Sequence, residues 1–97
     1  MNVLEQAIKT FGIDNQLTVA IEEFAELTKE ICKHKRGSEN TNSIIEEMAD
    51  CYIMLEQMQM IFSIDEEELV DAMDKKIKRL IIRLNDHPTE KGGGADA

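Results

Sequence analysis

Residues 41–62 read TNSIIEEMADCYIMLEQMQMIF, and this stretch decides the fold that the sequence predicts. Met, Ile and Glu dominate it and helix breakers are absent, which is typical of an α-helix. After Asp50, apolar side chains fall on nearly every side, and a helix that is apolar all round is buried all round. Because a chain of 97 residues has little material to surround a helix, we expect this one to be the central helix of a homo-oligomer.

The rest of the chain divides into helical segments at its few breakers. Apolar periodicity predicts helices over about residues 2–11, 14–35, 41–62 and from 66 up to Pro88. The predicted caps and stops are Asp14 or Asn15 and Asp65 at N-termini, and Gly12, Gly37 and Pro88 at C-termini. We therefore expect an all-α fold, a four-helix bundle-like protomer over residues 1–86, followed by a disordered tail over residues 87–97.

The composition excludes several classes of partner. Asp and Glu number 20 against 11 Lys and Arg, so the net charge is −9, and neither nucleic acid nor an anionic membrane surface is expected to bind. No apolar run approaches the roughly 20 residues of a membrane span, and the N-terminus lacks the features of a signal peptide. Two cysteines, Cys32 and Cys51, form no disulfide framework. A cytoplasmic protein is the expectation.

Acidic residues recur at helical spacing on the second and third segments. Glu23 and Glu26 lie three residues apart on a face that borders the apolar stripe of the second helix. Glu47 and Asp50 repeat this spacing on the third helix, and Asp50 immediately precedes the most apolar stretch of the chain. Acidic runs usually mark a solvated surface, but carboxylates on a buried helix need a different explanation.

A buried carboxylate must be paired, hydrogen-bonded or bound to a metal ion. Residues 41–62 contain no Lys or Arg that could pair with Glu47 or Asp50. Two helices that each direct an i, i+3 carboxylate pair at a common interior offer four oxygen ligands to a divalent cation. Such ligands favour Mg²⁺ or Mn²⁺ over zinc, so the sequence predicts a metal site of this kind.

The pattern Glu22-Glu23-x-x-Glu26, about twenty residues, then Glu47-x-x-Asp50, resembles the signature of the MazG-like all-α nucleoside triphosphate pyrophosphohydrolases. This superfamily includes the dimeric dUTPases and the dCTP pyrophosphatases. The resemblance covers about residues 14–84. It implies a Mg²⁺-dependent enzyme that cleaves (deoxy)nucleoside triphosphates to monophosphate and pyrophosphate and so cleans the nucleotide pool.

The resemblance also implies roles for individual residues. Glu23, Glu26, Glu47 and Asp50 would bind Mg²⁺, and Glu22 and Glu26 would be the catalytic residues. Glu22 would support the site either as a further ligand or as the group that orients the attacking water. The predicted substrate-binding residues are Lys29, Lys33, Lys76 and Arg79, for the phosphates, and Tyr52, which can stack on a base. The fourth helix departs from the family's Lys-x-x-x-Asn-x-x-Lys/Arg pattern, because its nearest match is Ala72, Lys76 and Arg79.

A second hypothesis belongs to another functional class. The chain can be read as a non-enzymatic helical oligomerisation or adaptor module whose acidic face binds a protein partner. The Glu47 and Asp50 pair discriminates between the two, because an adaptor has no reason to place two carboxylates on its most apolar helix.

Overall fold

A computed structural model describes residues 2–87, and this part of the chain contains four α-helices and no strand. The helices are α1 (Val3–Phe11), α2 (Ile13–Lys35), α3 (Thr41–Ile61) and α4 (Glu66–Asp86). The predicted all-α class is therefore confirmed. The chain divides into two compact units, the first ending at Ile64 and the second beginning at Asp65. Of the predicted disordered tail, residues 88–97 lie outside the described range.

The helix α1 is short and is fixed at both ends by hydrogen bonds. Asn2 and Glu5 form a capping box, in which the Glu5 backbone N–H donates to Asn2 Oδ1 at 2.8 Å. The Gly12 N–H donates to the Ile8 carbonyl at 2.9 Å and ends the helix, as predicted. Gly12 has a φ of 93°, which an L residue rarely adopts, so glycine suits this junction. Helix α1 packs against both α2 and α3.

The predicted N-cap of α2, at Asp14 or Asn15, is wrong. The helix begins at Ile13 with Gly12 at the cap position, and no side chain caps it. Because a single glycine both ends α1 and starts α2, the first turn already includes Asp14 and Asn15. The Asn15 amide donates instead to the Phe11 carbonyl at 2.7 Å.

The chain reverses direction between α2 and α3. Gly37, at a φ of 102°, donates from its N–H to the His34 carbonyl at 2.9 Å and ends α2 as predicted. Contacts between Glu30 and Asn40, and between Glu23 and Cys51, show that the two helices run antiparallel. This helix pair carries the acidic residues of both predicted motifs.

The core of the first unit is small and lies between α2 and α3. Its buried apolar residues are Ala20, Cys51 and Met54. The sequence predicts that α3 is buried on all sides in a homo-oligomer, and in the single chain Tyr52 is 68% exposed and Ile45 58% exposed. Within the first unit, α3 is therefore covered on one side, and its other side carries exposed apolar residues.

The second unit consists of α4 in the described range. Asp65 caps this helix as predicted, forming a capping box in which its own N–H donates to Glu68 Oε1 at 2.9 Å. Apolar side chains follow one face, and Lys76 and Arg79 lie in the middle of the helix. None of the four helices is both long and apolar enough to cross a membrane, within the residues described.

Candidate metal centre

Three carboxylates from two helices meet between α2 and α3. Glu23 comes from α2, and Glu47 and Asp50 come from α3. One carboxylate oxygen from each lies within 4.8 Å of the others, and we call these three residues the acidic cluster. Because Glu47 and Asp50 are three residues apart on a helix, they project from the same face, the one that packs on α2.

A hydrogen bond beside the acidic cluster shows which residues of α2 and α3 lie opposite each other. The Cys51 thiol donates a hydrogen bond to the Glu23 carbonyl oxygen, with the sulfur at 3.5 Å. Cys51 is buried, so this contact is part of the α2–α3 core. It brings the backbone that carries Asp50 against the turn of α2 that carries Glu23.

The electrostatics of the acidic cluster are unfavourable without a counter-charge. Burial raises the pKa of Glu23, and the negative charges of Asp50 and Glu47 raise it further. The pKa of Glu47 is raised in the same way, first by burial and then by Asp50. In addition, Glu47 Oε1 is buried without a hydrogen-bond partner. A buried acceptor without a partner destabilises the folded state by its desolvation penalty, and coordination of a cation would offset that penalty.

Among the described residues of the first unit, no Lys, Arg or His forms an ion pair with the acidic cluster. The described ion pair of this unit joins Lys33 to Glu30, which lies outside the cluster. Carboxylate oxygens that coordinate one Mg²⁺ or Ca²⁺ at about 2.0–2.6 Å lie within about 5 Å of one another. The cluster has that spacing, and its three hard oxygen donors suit Mg²⁺, Mn²⁺ or Ca²⁺.

Two predicted acidic residues lie beside the cluster and are not part of it. Glu22 and Glu26 are exposed on α2. Their negative charges nevertheless raise the pKa of Glu23, and that of Glu26 also raises the pKa of Glu47. Both side chains are therefore within electrostatic range of the cluster.

The predicted substrate-binding residues are distributed over both units. Lys33 is within 3.4 Å of Glu30, and the charge of Lys29 helps to lower the pKa of that same carboxylate. Tyr52 is exposed on α3. Lys76 and Arg79 are exposed on α4, in the second unit.

One polar contact of the site was missed by sequence reasoning. Glu30 is only 8% exposed, and Asn40 Nδ2 donates both to its Oε1 at 2.8 Å and to its carbonyl oxygen at 2.9 Å. The Asn40 hydrogen bond is the main cause of a lowered pKa at Glu30. The available signal was an asparagine just before a helix, but that position normally indicates an N-cap and not a contact ten residues away.

Comparisons of the chain with models of protein families, with curated proteins and with solved structures find no match. The resemblance to the MazG-like superfamily therefore rests on the order and spacing of the acidic motifs and stays a prediction.

Proposed function

We propose that the protein is a Mg²⁺-dependent nucleotide pyrophosphohydrolase that cleaves (deoxy)nucleoside triphosphates to a monophosphate and pyrophosphate. One observation carries the proposal: carboxylates from both predicted motifs, Glu23 from the first and Glu47 and Asp50 from the second, approach within 4.8 Å. The proposed role is the cleaning of the nucleotide pool in the cytoplasm.

The charge of the protein makes a cation necessary for such a substrate. A triphosphate is a polyanion, and a chain of net charge −9 repels it. A divalent ion, Mg²⁺ or alternatively Mn²⁺, would neutralise phosphate charge, fix the geometry of the phosphates and lower the pKa of a bound water. The residues present fit such an ion, because the cluster supplies hard oxygen donors and one buried oxygen that lacks a partner.

The remaining roles are assigned to residues around the cluster. Glu23, Glu47 and Asp50 would hold the ion, with Glu26, which is exposed beside the cluster, as the predicted fourth ligand. Glu22 and Glu26 accept a proton from the attacking water or orient it towards the α-phosphorus. Within the first unit, Lys29 and Lys33 bind the phosphates, and Tyr52 stacks on the base.

The exposed apolar face of α3 supports assembly. Ile45, Met48 and Leu55 are 58%, 42% and 47% exposed, and large apolar patches of this kind usually mark an interface. We therefore propose that the working form is a homo-oligomer, a dimer or a tetramer, in which a bundle-like protomer buries this face.

The decisive experiment measures pyrophosphate release. The purified chain is mixed with each standard and deaminated nucleoside triphosphate, with and without Mg²⁺, and pyrophosphate is quantified. Hydrolysis of at least one triphosphate is expected, and it should require the metal. Glu47→Gln and Asp50→Asn should reduce the rate by more than the roughly 10- to 100-fold that loss of an outer-shell partner costs, while helicity is retained.

A matched control is available on the same helix. Glu56 is exposed on α3 six residues beyond Asp50, so Glu56→Gln removes one charge without touching the cluster. Its hydrolysis rate should stay near that of the unaltered chain. If no triphosphate is cleaved, the enzyme proposal fails.

The second candidate function is a non-enzymatic oligomerisation or adaptor module with an acidic face. The apolar face of α3 favours it as well as it favours an enzyme, since either would bury that surface. Absence of both hydrolysis and any effect of Mg²⁺ on melting would favour the adaptor.

A further inference from the structure

The asparagine that precedes α3 does not cap it. Asn40 occupies the N-cap position, where asparagine is among the most favoured residues, yet its side chain makes no capping hydrogen bond. Both bonds from Asn40 Nδ2 go to Glu30 on α2, at 2.8 Å to Oε1 and 2.9 Å to the carbonyl oxygen. A local stabilising contact has been replaced by one between two elements.

The contact between Asn40 and Glu30 lies on one side of the acidic cluster, and the contact between Cys51 and Glu23 lies on the other. Glu47 lies between Asn40 and Cys51 along α3. The carboxylates are thus enclosed by side-chain bonds that cross from one helix to the other.

The two ends of α3 are held on α2 by different forces. The buried residues of α3, namely Cys51, Met54 and Gln57, lie at its midpoint and in its second half. The first half, which carries Glu47, has no buried apolar residue. Repulsion between Glu47 and the other carboxylates tends to push this half away from α2, so the bonds of Asn40 are well placed to oppose it.

We propose that Asn40 and Glu30 form a latch that holds the first half of α3 on α2 and so keeps Glu47 close enough to Glu23 to share one divalent cation. Both are positioning residues, since neither needs to touch the ion. The cation part of this inference rests on the proposed function, whereas the latch itself does not.

The test replaces the donor of the latch by a near-isostere. Asn40→Asp removes both N–H donors and sets a carboxylate against that of Glu30. Calorimetric titration with Mg²⁺ should show binding weakened by about 10- to 100-fold, the usual cost of losing an outer-shell partner. Amide hydrogen exchange, measured without metal, should become faster over residues 44–48.

Two control variants separate geometry from charge. Asn42→Asp adds the same charge two residues later at an exposed position, and it should leave Mg²⁺ affinity and exchange near those of the unaltered chain. Glu30→Gln keeps an oxygen that accepts from Asn40 but removes a charge that helps to raise the pKa of Glu47, so Mg²⁺ affinity should fall far less than in Asn40→Asp.

The outcomes are distinguishable. Unchanged affinity and exchange in Asn40→Asp overturn the latch. Mg²⁺ binding that is weakened as much in Glu30→Gln as in Asn40→Asp, with unchanged exchange, also overturns it, because the charge of Glu30 and not the latch would then set the affinity. If the unaltered chain binds no Mg²⁺, the proposed function has lost its metal, and hydrogen exchange alone decides the latch: faster exchange in Asn40→Asp supports it, and unchanged exchange refutes it.

Discussion

Helix α2 carries two glutamates, seven residues apart on one face, whose surroundings are opposite. Around Glu23 the neighbours are Asp50 and Glu47, and burial together with their charges raises its pKa. Around Glu30 the neighbours are the Asn40 amide and Lys33, and the hydrogen bond from Asn40 is the main cause of a lowered pKa. The Glu30 carboxylate thus has a hydrogen-bond donor and a positively charged partner, whereas the Glu23 carboxylate lies among other negative charges. A bound cation would therefore relieve more electrostatic repulsion at the Glu23 end of this face than at the Glu30 end.

The largest expected difference between the two ends is in how they affect the stabilisation of the folded chain by Mg²⁺. Free Mg²⁺ at about 100 times its Kd should stabilise the folded chain by about 2.7 kcal/mol. Since a small domain shifts by about 4–8 °C for each kcal/mol, thermal melting measures this readily. Glu47→Gln should lose most of the shift and Glu30→Gln should keep it. If Mg²⁺ does not change the melting midpoint, the proposal that the Glu23 end binds a cation and the Glu30 end does not is contradicted.

A smaller effect on the melting midpoint is expected when each of the two glutamates is replaced separately by glutamine and no metal is present. At neutral pH, Glu23→Gln should raise the melting midpoint, because it removes a charge that its neighbours disfavour. Glu30→Gln should lower the midpoint, because a charge-assisted hydrogen bond becomes a neutral one and the ion pair with Lys33 is lost. Calorimetry or circular dichroism at low ionic strength measures both. Shifts of the same sign would show that the two glutamates do not differ as described.

The pH dependence of stability should differ in sign between the two ends. Glu23 and Glu47 have folded pKa values above the reference of 4.5. Their contribution to stability is therefore fully present below 4.5 and is lost as pH rises through the raised values. Glu30 has a folded pKa below 4.5, so its contribution is present above 4.5 and is lost as pH falls through the lowered value.

Urea unfolding of the metal-free chain across the acid range measures these opposing contributions. Glu47→Gln should flatten the decline of stability above pH 4.5, and Glu30→Gln should flatten the decline below it. An unchanged profile in both variants would contradict the assignment.

The helices could be predicted from the sequence because their causes are local. Periodic apolar residues define α2, and capping at Asp65 defines the start of α4. The start of α2 was placed too late, because Asp14 and Asn15 have the residue types of an N-cap while the conformation of Gly12 decides the boundary.

The candidate site could be predicted only in part. Glu23, Glu47 and Asp50 share helix faces that spacing alone reveals, and the lack of cations in residues 41–62 is plain in the sequence. The partnership of Asn40 with Glu30 depends on how two helices approach each other, which spacing within one helix does not contain. The exposed apolar residues of α3, in contrast, fit what the sequence already indicated, namely that a chain of 97 residues has little material to surround this helix.

The smallest expected effect uses the two cysteines as local reporters. Burial raises the pKa of Cys51, and the charges of Glu23 and Glu47 raise it further, whereas Cys32 is exposed. Because the thiolate is the reactive form, iodoacetamide should modify Cys51 more slowly than Cys32, as followed by mass spectrometry. Glu47→Gln removes one of the charges that oppose ionisation, so it should speed modification of Cys51 modestly relative to Cys32. Glu30→Gln should leave this ratio unchanged, since Glu30 does not contribute to the raised pKa of Cys51. If both substitutions change the modification rate of Cys51 equally, the change comes from weaker packing of the two helices and not from the charges of the acidic cluster.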